Sequence, residues 1–267
     1  MLVTRIAPTP SGYLHVGNAL NMVLTHWLAR AHGGRLLLRI DDFDTGRARA
    51  PYLEDVFRTL DWLGIDIDDG PSGPDDFHSS WSMSTRIDRF RQARDVLRGA
   101  GHDGTIFVCR CSRHDLDVSG HCVAGCRAQD LALEPGRSAL RMSVPGGSAR
   151  GLPLPVGDHV LWRRDDLPAY QLGSVVADED LGVTAIVRGV DLLESSALQL
   201  HLAGLLPAPR FRAVDLRHHA LLAAPDGQKL SKSAGAQAHP LEHTEHLRVQ
   251  VLAWARALGT PLGISPH

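Results

Sequence analysis

The chain opens on a unit that restricts its fold more than anything after it. Leu2-Val3-Thr4-Arg5-Ile6-Ala7 carries a short strand signal, and Pro8-Thr9-Pro10-Ser11-Gly12 cuts it off. His15-Val16-Gly17-Asn18 follows. Leu20, Val23, Leu24, Trp27 and Leu28 then recur with helical spacing, which predicts a helix to about Ala31. Gly33-Gly34 turns the chain into Arg35-Leu36-Leu37-Leu38-Arg39-Ile40, the apolar run of a buried strand. Strand, tight loop and helix set a helix N-terminus and its backbone N–H groups at the end of a parallel strand, which makes an anion site. His15 stands at that mouth and could donate to a phosphoryl oxygen, although a lone loop histidine is more often a polar surface residue.

With 267 residues, the chain forms one large domain or two modest ones. Hydrophobic residues make up 43% and charged residues 22%, the balance of a soluble globular protein. A formal net charge of -2 excludes a generally basic nucleic-acid coat, so any RNA binding has to use local arginine patches. No apolar run reaches membrane-spanning length, and Met1-Leu2-Val3-Thr4-Arg5 lacks the layout of a signal peptide. The expectation is a cytoplasmic protein with no membrane partner.

Arg35–Ile40 ends in Asp41-Asp42-Phe43-Asp44, carboxylates that suit a metal, an ammonium group or a helix cap. Pro51 to Leu63 predicts a helix, with Pro51 in its first turn and Gly64 after it. Ile65–Asp68 reads as a short strand and Asp69–Asp76 as a loop. Ser84 to Arg98 predicts a helix bearing Arg86, Arg89, Arg91, Arg94 and Arg98, either a solvated face or a nucleic-acid patch. Residues 137–187 read as short strands and turns. Val183–Val187 is a buried strand ending in Arg188-Gly189 and Asp191. Leu192–Leu205 and Leu241–Leu258 predict helices.

All 4 cysteines fall between 109 and 126, as Cys109-Arg110-Cys111 and Cys122-Val123-Ala124-Gly125-Cys126. Two close pairs across a short loop can each grip one side of a tetrahedral metal, and His114 and His121 are possible substitute ligands. Lys229 and Lys232 are the only lysines; every other strong base is arginine. Each has a serine near it in Gln228-Lys229-Leu230-Ser231-Lys232-Ser233, beyond the turn Asp226-Gly227. A compact ammonium on a flexible stem suits a moving phosphate charge better than a planar guanidinium.

His15-Val16-Gly17-Asn18 and Lys229-Leu230-Ser231-Lys232-Ser233 resemble the two signatures of the class I aminoacyl-tRNA synthetases. Arg5 to His15, Arg39-Ile40-Asp41-Asp42-Phe43-Asp44, Tyr170-Gln171-Leu172-Gly173-Ser174 and Val187-Arg188-Gly189-Val190-Asp191 resemble the glutamyl-tRNA synthetase catalytic core. The matches keep the family's order from about residue 3 to 240. The resemblance implies an α/β fold: a class I Rossmann-type parallel sheet with an inserted zinc-binding subdomain. Its expected division is a first half of the core over 1–98, the insert over 99–180, the second half with the lysine loop over 181–240, and a short helical tail over 241–267. The few residues after the lysine loop, where full-length glutamyl-tRNA synthetases carry an anticodon-binding region, make the chain similar to the short glutamyl-Q tRNA(Asp) synthetase branch.

That branch implies activation of glutamate with ATP and attachment to the queuosine base of tRNA(Asp), by a cytoplasmic monomer using Mg²⁺ and Zn²⁺. Carried over by position, His15, Lys229 and Lys232 are catalytic, and His15, Gly17, Asn18, Lys229 and Lys232 bind ATP. Arg5, Ile6, Ala7, Pro8, Thr9, Asp41, Tyr170 and Arg188 line the glutamate site: Arg5 and Arg188 for the carboxylates, Asp41 and Tyr170 for the ammonium. Cys109, Cys111, Cys122 and Cys126 hold zinc, with Cys122 in the place of the family's tyrosine; an alternative register puts Val118 there and Cys122 in the last position. Asp41 stands where the family has glutamate, Asn18 where the signature has its second histidine, and Ala177 where an aspartate is usual, with Asp178 kept. An amino-acid:AMP ligase with another acceptor and a non-catalytic tRNA-binding paralogue share the fold; intact His15, Lys229 and Lys232 count against the paralogue.

Overall fold

The structure is a computed structural model that describes residues 1–43, 46–100, 104–222 and 239–266. Asp44, Lys229 and Lys232 lie outside the described residues. In chain order the elements begin β1 (Val3–Ile6), α1 (Val16–Ala31), β2 (Arg35–Leu38), α2 (Ala50–Leu63), α3 (Pro74–Asp76), α4 (Ile87–Gly99), β3 (Ile106–Cys109) and β4 (Ala139–Val144). They continue with β5 (Gly147–Ala149), β6 (Leu152–Leu154), β7 (Gly157–Trp162), α5 (Tyr170–Asp180), β8 (Ala185–Gly189), α6 (Leu193–Gly204), α7 (Pro209–Arg212), β9 (Asp215–His219) and α8 (Glu245–Gly259). These elements form two interleaved compact units: Met1–Thr85, Val183–Leu192 and Val214–His267 in one, Arg86–Gly182 and Leu193–Ala213 in the other.

The first unit is built on parallel strands. β1 pairs with β2 from Val3↔Arg35 to Ile6↔Leu38, and β8 pairs with β9 from Ala185↔Asp215 to Gly189↔His219. The Thr184 N–H donates to the Val3 carbonyl at 2.8 Å and links the two pairs. Leu20, Leu24 and Leu28 of α1 lie in one core with Ile6, Leu36, Leu38 and Val187 of the strands, Val56 and Leu60 of α2, and Val251 and Ala255 of α8. Each fully buried leucine or valine in such a core contributes about 1.5–3 kcal/mol. α2 stops where Gly64 adopts φ 67°, a left-handed cap that favours glycine. Ile65–Asp68 is not a strand. The chain there gives one parallel bridge, Leu37↔Asp69, with Leu38 N–H donating to Asp69 O at 2.9 Å.

The second unit holds an antiparallel sheet in the order β3-β4-β7 and a β5-β6 hairpin, with α4, α5 and α6. Trp162 anchors it, fully buried, its Nε1–H donating to Asp166 Oδ1 at 3.0 Å. The expectation of only strands and turns over 137–187 is corrected by α5. Leu172 to Glu179 are buried without a break although Ser174, Asp178 and Glu179 are polar, so the burial follows no apolar 3.6-residue stripe.

Candidate active site and candidate metal centre

His15 is the N-cap of α1. Its backbone is extended, its Nδ1 accepts the Gly17 N–H at 3.1 Å, and Asn18 Oδ1 accepts the His15 N–H at 2.9 Å. The two bonds form a reciprocal capping box. With Nδ1 accepting, the neutral ring carries its hydrogen on Nε2, a donor at the positive end of a helix. A Cβ at Gly17 would lie 3.0 Å from His15 Cε1 and 3.1 Å from Nδ1, so glycine is what lets the ring lie over the first turn. Asn18, the departure from the family signature, supplies the return bond of the box.

The ends of β1 and β2 gather the next group. The ladder continues past the strands: Arg39 N–H donates to Ile6 O and Asp41 N–H to Pro8 O, both at 2.9 Å. This sets the Ala7–Thr9 stretch beside Asp41. Asp41 is 8% exposed and is held by a buried fork from Arg39, with Nε to Oδ1 at 2.7 Å and Nη2 to Oδ2 at 3.0 Å. Asp42 accepts from Ser82 Oγ at 2.5 Å and from Met83 N–H at 2.9 Å, so it caps the 3₁₀ turn Met83–Arg86. Arg5 on β1 and Arg188 on β8 are both buried within this unit, 5% and 4% exposed. Tyr170, 44% exposed, begins α5 in the second unit. Arg39, the partner of Asp41, is a residue that the sequence reading passed over. Its spacing from Asp41 is the available signal, because residues i and i+2 of an extended chain share a side.

In the second unit, the end of β3 delivers Cys109, the residues just after it Cys111, and the stretch before β4 Cys122 and Cys126. Their four Sγ atoms lie within 4.8 Å of one another. Cys111 Sγ is 3.4 Å from Cys122 Sγ and 3.8 Å from Cys126 Sγ. A tetrahedral thiolate centre with metal–sulfur bonds of about 2.3 Å separates its sulfurs by roughly 3.8 Å. The donor set therefore fits one closed four-thiolate metal. Val118 is fully exposed, and His121 places Nδ1 3.4 Å from Asp158. Burial pushes the Cys109 and Cys111 thiols up. At Cys122 burial acts the same way but is outweighed by the Cys126 N–H and neighbouring thiols, which draw it down.

Asp158 of β7 braces this centre. Its buried carboxylate accepts the Cys122 N–H at 2.7 Å and Arg127 Nη2 at 2.9 Å; Arg127 also donates to Ser143 and lies 5.3 Å over the Phe107 ring. Arg141, also buried, donates to Asp158 O at 2.8 Å. Burial pushes the Asp158 carboxyl up, but the Cys122 N–H, Ser143, His121 and the Arg127 charge outweigh it and hold it below the usual carboxylate range. Neither Asp158 nor Arg141 was visible as a site residue in the sequence, because each lies far along the chain from the cysteines it supports.

The family model for class I tRNA synthetases (E and Q), catalytic domain, matches residues 1–129 and 150–264. The glutamyl-Q tRNA(Asp) synthetase of Symbiobacterium thermophilum is 37% identical over 267 residues, 88% of this chain and 79% of that protein. The protein of the same name from Pseudomonas syringae pv. syringae is 35% identical over 272 residues, 97% of this chain and 85% of that one. The glutamate-tRNA synthetase structure from Elizabethkingia anophelis aligns with a TM-score of 0.72 at 23% identity; it covers 88% of this chain, which spans only 53% of it. That likeness concerns the fold. Matched by the family model along nearly its whole length, and by relatives more than a third identical over most of theirs, the chain belongs to the class I tRNA synthetases, in the catalytic-domain group for E and Q.

Proposed function

We propose that this chain is a ligase that activates glutamate with ATP and transfers the glutamyl group to the queuosine base of tRNA(Asp). The observation that carries the reading is the match to relatives of that name over 79–85% of their own length. In the first step a glutamate carboxylate oxygen attacks the α-phosphorus and pyrophosphate leaves. In the second a nucleophile of the modified base attacks the acyl carbon and AMP leaves.

Little covalent chemistry falls to the protein, so positioning and charge stabilisation dominate. The His15 Nε2–H and the α1 N-terminus at Gly17 and Asn18 meet the phosphates. Lys229 and Lys232 add ammonium groups where charge builds toward the transition state. Arg5 and Arg188 hold the glutamate carboxylates; Asp41 and Thr9 receive its ammonium, with Ile6, Ala7 and Pro8 shaping the wall. Asp41 keeps acceptor capacity after binding Arg39, since a carboxylate offers about four lone-pair sites. Mg²⁺ accompanies the ATP. Zn²⁺ is the metal for the four-cysteine centre, whose closed donor set gives it a structural role. Interleaving of the two units supports an insertion between two halves of a nucleotide-binding core. No helix among the described residues is long and apolar enough to cross a membrane, in keeping with a cytoplasmic enzyme, here taken as a monomer.

The test is ATP–pyrophosphate exchange with each amino acid, with and without tRNA, then transfer to queuosine-containing and queuosine-free tRNA(Asp). Exchange is expected with glutamate, and transfer only to the modified tRNA. Absence of glutamate-dependent exchange overturns the reading; exchange without queuosine-dependent transfer points to a ligase with another acceptor.

A further inference from the structure

Asp55 has no part in the scheme above, yet it is 0% exposed in the middle of α2. A buried carboxylate is costly unless its oxygens are bonded. One oxygen, Oδ2, accepts the backbone N–H of Leu14 at 2.9 Å; the other, Oδ1, lies 3.3 Å from Arg58 Nη2. Leu14 immediately precedes His15, so this bond grips the chain one residue before the cap of α1.

The same side of α2 makes a second tie. Thr59 and Trp62 follow Asp55 at i+4 and i+7, which places the three on one face of the helix. Thr59 Oγ1 is 3.3 Å from His243 Nε2, and the Trp62 Nε1–H donates to Thr244 O at 3.2 Å. The His243 ring stacks on Trp62 at 4.8 Å and 14°. One stripe of α2 thus fastens the chain both ahead of His15 and just ahead of α8.

We propose that Asp55 is a positioning residue for adenylation, acting through the Leu14 N–H to fix the backbone from which His15 is aimed. The inference rests on the proposed function. An imprecisely held catalytic group loses rate without losing its chemistry, and small misplacements are expensive.

The experiment compares Asp55→Ala and Asp55→Asn with the wild type, well below their unfolding midpoints. Two quantities are read: kcat and KM for ATP and glutamate in pyrophosphate exchange, and the hydrogen-exchange rate of the Leu14 amide. In Asp55→Ala, kcat is expected to fall on the order of 10-fold or more, with glutamate KM little changed and the Leu14 amide deprotected. Asp55→Asn keeps an oxygen that accepts the same N–H and is expected to restore most of kcat and the protection. If Asp55→Ala does not fold, Asp55→Asn decides: retained protection with near-native kcat supports the inference, and lost protection with native kcat overturns it. A folded Asp55→Ala with native kcat overturns the inference alone. A wild type without glutamate-dependent exchange overturns the proposed function, and the inference with it.

Discussion

Asp41 shows how one neighbour changes what a residue can do. Beside the Ala7–Thr9 stretch it looks like a free carboxylate awaiting an ammonium, but Arg39 already holds both of its oxygens in a buried fork. Removing Arg39 leaves that charge without its partner, and breaking one side of a buried pair costs about 3–5 kcal/mol. Arg39→Ala is therefore expected to lower the urea midpoint by that amount of stability and to raise the KM for glutamate in the exchange assay. Asp41→Ala on top of Arg39→Ala is expected to recover part of the stability but not the KM. A double variant no more stable than the single one contradicts the pairing. The identities of Asp41 and Arg39 were both plain in the sequence. Their fork was not, because burial decides whether two charges two residues apart meet each other or water.

At the scale of elements, legibility followed the hydrophobic period. α2 buries one side and carries a clear signal; α1 is covered nearly all round, yet Leu20, Val23, Leu24, Trp27 and Leu28 keep a helical spacing, and His15 and Gly17 at its start could be placed from sequence. α5 is covered all round and could not be read that way. The cysteine centre was legible as a ligand set because its spacing is local, whereas its brace comes from β7 through Asp158. Partners behind metal ligands commonly tune affinity by about 10–100-fold. Asp158→Ala is expected to weaken metal retention by that range in chelator competition, while all four thiols remain available. Cys122→Ser removes a ligand and is expected to lose more. Equal retention in Asp158→Ala and wild type shows that the brace contributes nothing to the centre.

Across the whole molecule, burial leaves a pH signature that no motif reveals. Burial holds His159, His201, His218, His219 and His243 below the ordinary 6.5, and in His219 it outweighs the Ala220 carbonyl bond. Between the folded and unfolded values, the unfolded chain binds protons that the folded chain refuses. Stability rises with pH wherever that holds. The histidine contribution is therefore complete above 6.5 and is lost as pH falls through the lowered folded values. Asp68, Asp158 and Asp166 are also lowered, from 3.8, burial being opposed by hydrogen bonds and arginines. Their contribution is present above 3.8 and fades only as pH falls through values lower still, so the two groups act in separate windows. Thermal unfolding followed by circular dichroism at pH 7.5, 6.5 and 5.5 is expected to show a falling midpoint, steepest below 6.5. Proton release of a thiolate-bound metal would act in the same direction. The fall is accordingly expected in chelated protein as well, where the desolvated histidines still act. A midpoint that stays level in the chelated sample means these rings are not desolvated as the packing of β9, α6 and α2 requires.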